Sequence, residues 1–398
     1  MQALAMTKYQ RLPFDPVLLL SVVALLIFSL IMVGSASLEV ANVRYGSPWF
    51  ILLRWCFYIP VALAVMWAVS RVHPSWWEAM VMPLLGFGFL LLITVLIVGS
   101  EINGATRWFS IFGMTIQPVE FVKPAIVIYL AYYLSNFSDR LRSFANGLMP
   151  MLLIIVMMVA LLLVQPDFGN AVLILSMSFC LWFVGGVPTR HLVGLMATAI
   201  PVLAVIIMSA PYRMQRMLAF MDPWADRFGS GYQLVQSQIA FGAGGITGAG
   251  LGQGVQKLFY LPESFTDFIS AVIGEELGLI GILAVIGVFG LVCWRGFKIA
   301  RHADTDFSRL LALGATFLLA AAFIVNLGAA MGIFPTKGMP MPFVSYGGSA
   351  LIGECVLLGL IFSVQRHQAA SVRNARGSAH RKERRIRADA NDVEGVSV

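Results

Sequence analysis

Charge is scarce in this sequence. Only 12% of its 398 residues are Asp, Glu, Lys or Arg, about half of what a soluble domain carries. Too little polar surface remains to face water on every side, which excludes an ordinary soluble fold. Cysteine is sparse as well. Cys56, Cys180, Cys293 and Cys355 each lie in or beside an apolar run, with a spacing that fits neither a disulfide framework nor a Cys-based metal centre. The short apolar core and small-residue cleavage site of a secretory signal are also missing. The glycine-dense run from Gly242 to Gly254 lacks the spacing and the strand–helix surroundings of a dinucleotide fingerprint. The net charge of +7 is spread over short loops and a C-terminal tail rather than gathered in a groove, so nucleic acid is not an expected partner.

Apolar runs fill the chain instead. Hydrophobic residues make up 59% of the sequence and the mean hydropathy is +0.83. Ten runs are long enough to cross a bilayer: 16–36, 49–69, 78–98, 117–135, 149–165, 170–186, 190–210, 269–294, 308–332 and 349–365. The expected fold is an all-α polytopic membrane protein of ten transmembrane helices, with a large extracytoplasmic loop, 210–268, between helices seven and eight. Residues 1–15 form an N-terminal segment, 16–365 the membrane domain and 366–398 a polar, Arg-rich tail expected to be disordered. Lys and Arg mark the cytoplasmic side. Lys8, Arg11, Arg71, Arg140, Arg142, Arg190, Arg295, Lys298, Arg301, Arg309 and the tail fall on one side, against Arg44, Arg107 and Lys337 in the short loops opposite. Both termini are therefore expected inside. The long segment carries too many aromatics for disorder, and a folded cap on the membrane surface is expected.

Charges within or beside spans are functional candidates by default. Glu120 and Lys123, three residues apart and bracketed by Pro118 and Pro124, share a helix face. They form either a structural ion pair or a wall of a substrate cavity. Asp167, in Gln165-Pro166-Asp167-Phe168-Gly169, is a helix cap, a cavity residue or a ligand that holds a divalent cation against a diphosphate. Asp267 sits among aromatics where water gives way to lipid. It is a cap or, through partial desolvation, a general base. Lys337, in the proline-rich stretch from Pro335 to Pro342, is a point charge suited to phosphate, unless that stretch is only a re-entrant turn.

Six motifs follow in order: Asn103-Gly104-Ala105-x-Arg107-Trp108, Gln117-Pro118-x-Glu120-x-x-Lys123, Gln165-Pro166-Asp167-x-Gly169, Gly231-Tyr232-Gln233, Leu261-Pro262-Glu263-x-x-Thr266-Asp267-Phe268 and Ser345-Tyr346-Gly347-Gly348-Ser349. In this order, over nearly the whole chain, they resemble the SEDS family (shape, elongation, division and sporulation proteins). Pro335-Thr336-Lys337-Gly338 leans towards its division branch rather than its elongation branch. The resemblance implies a ten-helix peptidoglycan glycosyltransferase of the bacterial inner membrane, placed at the division septum. It would polymerise lipid II, the undecaprenyl-diphosphate-linked disaccharide pentapeptide, in complex with a class B penicillin-binding protein and other division proteins.

The resemblance further implies that Asp267 is catalytic. It implies substrate contacts from Arg107, Trp108, Glu120, Lys123, Asp167, Gln238, Lys257, Glu263, Lys337 and Ser345. Mg or Mn, held by Asp267 or Asp167, is an open expectation. Asn170, Ala322 and Ala350 depart from the family pattern, as does Ser264-Phe265, while the charged positions are kept. A lipid II flippase and a non-catalytic scaffold are the competing classes. The lack of a clear internal repeat and the crowding of polar residues at one face argue against the flippase.

Overall fold

A computed structural model describes residues 14–102, 104–111 and 114–368. Residues 1–13 of the expected N-terminal segment (with Lys8 and Arg11), Asn103 and the tail beyond 368 lie outside the described residues. The helices are α1 (Pro16–Tyr45), α2 (Phe50–Arg71), α3 (Pro74–Ala79), α4 (Val81–Val98), α5 (Val119–Asn136), α6 (Met149–Val164), α7 (Phe168–Val184), α8 (Thr189–Met208), α9 (Pro211–Met221), α10 (Tyr232–Gly244), α11 (Ile269–Arg301), α12 (Asp306–Met331) and α13 (Gly348–Gln368). Among the described residues, eight helices are long and apolar enough to cross a membrane. The shorter α7 and the charge-bearing α5 pack inside the same bundle, an arrangement consistent with ten spans.

Local chemistry sets the helix ends. Asp15 accepts N–H bonds from Val17 and Leu18 at the start of α1, Pro16 occupies the first turn, and Gly46 closes the helix in the left-handed region. Large apolar side chains such as Leu20, Leu53, Phe57 and Ile97 point out of the bundle, as expected where lipid is the solvent. Only Leu192 of α8 is buried, so this helix lies at the bundle's edge. By contrast α12 packs against α5, α7, α10 and α11 and forms the centre.

The long segment is folded, as its aromatics imply. After α9 the chain turns into α10, which packs on α11 and α12. The glycine run docks on a break in α11, where Gly278 leaves the helical region with φ 63°. Ala249 and Gly250 donate to the carbonyls of Glu275 and Glu276, and Leu279 and Ile280 donate to those of Gly245 and Ile246. Backbone groups freed by the break are thus satisfied by protein. The glycines are needed for contact: a Cβ on Gly244 would stand 1.9 Å from the Gly274 carbonyl oxygen.

The fold is not wholly helical, which corrects the all-α expectation locally. Between α4 and α5 the chain forms three short antiparallel strands, β1 (Ser100–Ile102), β2 (Ala105–Ile111) and β3 (Met114–Ile116). Gly104 has φ 73° in the tight β1–β2 turn, and the strand puts Arg107 and Trp108 beside the neighbouring loops.

Candidate functional site

The site lies where the small sheet, the start of α7, helix α9 and the loop 333–347 meet. Arg107, Asp167, Arg213, Arg216 and Lys337 line a cleft that is partly open to solvent. A second, much narrower cavity, with room for about one water, is lined by Gln117, Glu120, Lys123, Asn170 and Glu354, among others. Gly338 and Met339 belong to the walls of both. The structure therefore divides the expected ligands into an outer set, Arg107, Asp167 and Lys337, and an inner set, Glu120 and Lys123.

Asp167 does two of the jobs left open by its sequence. It caps α7, accepting from the Asn170 N–H at 3.3 Å and the Asn170 side chain at 2.9 Å. It also faces the cleft, where Gln117 donates to it at 3.1 Å and the Arg107 guanidinium stands at 3.8 Å. Arg107 additionally donates to the Pro166 carbonyl at 2.8 Å and lies 5.6 Å from the Trp108 ring centroid. Its Nε is buried with no hydrogen-bond partner among the described residues. Burial lowers the Lys337 ammonium below its ordinary range, while the Asp167 charge opposes that shift.

Asp267 is half-buried just before α11. Burial pushes its carboxyl up to about 7, the Glu263 charge adds to the rise, and Arg107 and Arg216 oppose it. Its mounting is tight. Asn326 on α12 donates one amide N–H to the Asp267 carbonyl at 2.9 Å and another to the Met339 carbonyl at 2.6 Å. The Tyr346 N–H donates to the Phe265 carbonyl at 3.0 Å. Gly338 admits the carboxylate, because a Cβ there would sit 3.2 Å from Asp267 Oδ2. Glu263, with φ 56°, accepts from the Thr266 hydroxyl at 2.9 Å. A strained backbone beside this carboxylate fits a functional loop.

Glu120 and Lys123 form an ion pair at 2.7 Å in α5, so the structural reading holds for the pair while both side chains also line the inner cavity. Five expected ligands, Trp108, Gln238, Lys257, Glu263 and Ser345, stand apart from both cavity linings, and Asp267 meets the cleft wall at Gly338 without lining either cavity. Lys257 spends its ammonium donors on Ser35, the Gly252 carbonyl and Glu276 at 2.6–2.9 Å. Ser345 is buried and accepts from the Met341 N–H at 2.8 Å, closing a turn. Gln238 lies against Gly332 at the end of α12. For Lys257 and Ser345 the donors or acceptors a substrate needs are engaged within the fold.

Asn326, Glu354 and Arg216 were not among the expected site residues. For the first two a signal exists, since each is a polar residue inside an apolar span. Glu354 is buried and accepts from the Phe343 N–H at 3.0 Å. Arg216 carries no distinguishing signal within its basic, irregular surroundings. Among the described residues no three His, Cys, Asp or Glu side chains gather as a metal site. Asp167, with its oxygens already facing three donors, is a poor fit for a divalent cation. Glu263 and Asp267 are the acidic pair that remains.

Fold and site together define an integral membrane protein whose helical bundle opens at one end into a cleft rich in cations with a carboxylate at its edge. Residues 16–370 match the family model described as cell cycle protein, covering FtsW, RodA and SpoVE, and the chain belongs to that family. It is 42% identical over 376 residues to a probable peptidoglycan glycosyltransferase FtsW of Thioalkalivibrio sulfidiphilus, covering 93% of each chain. A relative of the same name from Trichlorobacter lovleyi is 39% identical, over 88% of this chain and 93% of its own. Among solved structures, a chain of a peptidoglycan synthase complex that coordinates polymerization and crosslinking superposes with TM-score 0.74 at 31% identity, covering 88% of this chain and 97% of that one. The rod shape determining protein RodA of Thermus thermophilus gives TM-score 0.65 at 29% identity, over 88% and 96%.

Proposed function

We propose that the chain is the peptidoglycan glycosyltransferase of septal wall synthesis, polymerising lipid II at the periplasmic face of the inner membrane with both termini in the cytoplasm. The observation that carries this reading is Asp267, half-buried against Gly338 of the cationic cleft's wall, with its carboxyl pushed up to about 7. A base poised there takes a proton at neutral pH more readily than an ordinary carboxylate.

In the reaction, Asp267 removes the proton from the GlcNAc 4-hydroxyl of one lipid II. The freed oxygen bonds to the anomeric carbon of the terminal MurNAc on the growing chain, with inversion. The bond from that carbon to the diphosphate breaks, and undecaprenyl diphosphate leaves with the electron pair. Arg107 and Lys337 face the charge that develops on the leaving group. Glu120 holds Lys123 in the neighbouring inner cavity, where the pair shapes the polar wall. A divalent cation would screen the diphosphate further, with Glu263 and Asp267 as the acidic residues that would hold it. A class B penicillin-binding protein is the proposed partner, in keeping with the likeness to a chain of a synthase complex that coordinates polymerization and crosslinking.

The test is lipid II polymerisation by the purified chain with its partner, comparing Asp267→Asn with the unmodified protein. Glycan chains are expected only from the latter. Chains made by Asp267→Asn at the normal rate would remove Asp267 from the role. Polymerisation in detergent, where transport is impossible, separates the enzyme from a flippase.

A further inference from the structure

Helix α9 is short, amphipathic and lightly held. Its neighbour in the fold is α8, and Leu218 and Met221 are exposed on its apolar side, the form of a helix lying in the membrane interface. Two basic residues one turn apart, Arg213 and Arg216, line the cleft. Their surroundings differ. The Arg213 guanidinium donates to the Ile206 carbonyl at 3.0 Å and the Leu163 carbonyl at 3.4 Å. It thereby anchors α9 to the last turns of α8 and α6, where a cation is favoured. Arg216 is exposed and lines the same cleft as Arg107, Asp167 and Lys337.

We propose that α9 is a cationic flap of the donor subsite, in which Arg216 joins Arg107 and Lys337 in binding the diphosphate of the polyprenyl-linked sugar that is cleaved. This rests on the glycosyltransferase reading above and extends it to a residue and an element without an assigned role. Three lines support it. Four cations, Arg107, Arg213, Arg216 and Lys337, line the cleft with one carboxylate, Asp167, which Gln117 and Asn170 also serve, so the lining favours an anion. Arg107 Nε is buried without a partner among the described residues, a donor that a phosphate oxygen would satisfy. Arg216 also lowers the Asp267 carboxyl from where burial alone would put it, so the flap and the base are electrically in touch. A planar guanidinium from the flap and another from the sheet suit a diphosphate, whose oxygens offer paired acceptors. The cleaved diphosphate gains charge as it departs, whereas the acceptor's diphosphate does not change, so concentrated cations belong on the donor side.

The test is binding of undecaprenyl diphosphate and undecaprenyl monophosphate to the full-length chain in detergent. Arg216→Gln should weaken the diphosphate by roughly tenfold to a hundredfold, the usual worth of a hydrogen bond to a charged group. The monophosphate should lose less, so the preference for diphosphate narrows. Arg216→Lys keeps the charge without the fork and should fall between, which preserves the test should the Gln variant fold poorly. Arg227→Gln, whose guanidinium lies over the Phe228 ring on the same segment, should bind as the unmodified chain does. Unchanged diphosphate affinity in Arg216→Gln would overturn the flap, even if Asp267→Asn is inactive. Conversely, active Asp267→Asn with weakened diphosphate binding in Arg216→Gln would sink the proposed base and leave the subsite standing.

Discussion

A base must be ionised to act, so polymerisation should follow the charge on Asp267. With its carboxyl near 7, the ionised fraction is about one half at pH 7, about one-eleventh at pH 6 and about one-hundredth at pH 5. A carboxyl at the ordinary value of 3.8 would be more than about nine-tenths ionised throughout, and the rate would be flat. The expected kcat/KM for lipid II therefore falls about tenfold for each pH unit on the acid limb, below a plateau reached near pH 8. Two substitutions move the limb in opposite directions. Glu263→Gln removes the like charge that raises Asp267 and should shift the limb to lower pH. Arg216→Gln removes a cation that lowers it and should shift the limb to higher pH. The assay is the initial rate of glycan formation by purified protein across this range. A flat profile, or two variants that move the limb the same way, would refute the reasoning. Stability runs with the opposite sign to activity. The folded state binds this proton more tightly than the unfolded chain, so its contribution is present below about pH 4 and lost as pH rises towards 7. Asp267→Asn should thus lose activity at pH 8 while unfolding at the same temperature as the unmodified protein or a higher one.

Two further outcomes follow from the supporting structure. Lys257→Met strands the buried Glu276 carboxylate, which otherwise lies 2.6 Å from the ammonium. A loss of about 3–5 kcal/mol is expected, read as a lower unfolding temperature in detergent, and Lys257→Met with Glu276→Gln should recover much of it. A double variant no more stable than the single one would deny that the pair is an internal clasp. Asn326→Leu removes the two donors that fix the Asp267 and Met339 carbonyls. It should lower kcat by about tenfold or more with little change in KM; a rise in KM alone would place Asn326 in substrate binding instead.

The bundle was largely legible because lipid imposes long apolar runs on any spanning helix. The expected run at 269–294 and the observed Ile269–Arg301 begin at the same residue. Its break at Gly278 was not legible, because a glycine inside a span is ordinary and the strain depends on Gly245–Gly250 docking from the side. The small sheet escaped notice for a related reason. Its strands are three to seven residues long, too short for periodicity to register. At the site, Asp267, Asp167, Arg107 and Lys337 stood out as charges beside apolar runs. Lys257 was expected only from the resemblance, and its ammonium is engaged inside the fold, since sequence reveals a charge near a membrane but not the partner that neutralises it.

That partner is what divides the internal charges of this chain into two groups. Glu275 accepts from the Val255 and Gln256 N–H groups at 2.8–3.2 Å, and Glu276 accepts from Ser35, Gly252 and Lys257. Their oxygens are turned towards protein, and they pin the start of the segment that ends at Asp267. Asn326 and Tyr346 pin its other end. A chain held at both ends restricts the carboxylate to a small set of positions, and positioning within fractions of an ångström is what proton abstraction requires. Asp267 itself belongs to the second group. Gly338 gives way for it, and the Arg107 and Arg216 charges act on it from the cleft. Paired charges inside the bundle thus build the mounting, while the charge left without a direct partner among the described residues is the one available for chemistry. On this division, substitutions at Glu275 should lower stability and rate together, whereas Asp267→Asn should lower the rate without lowering stability.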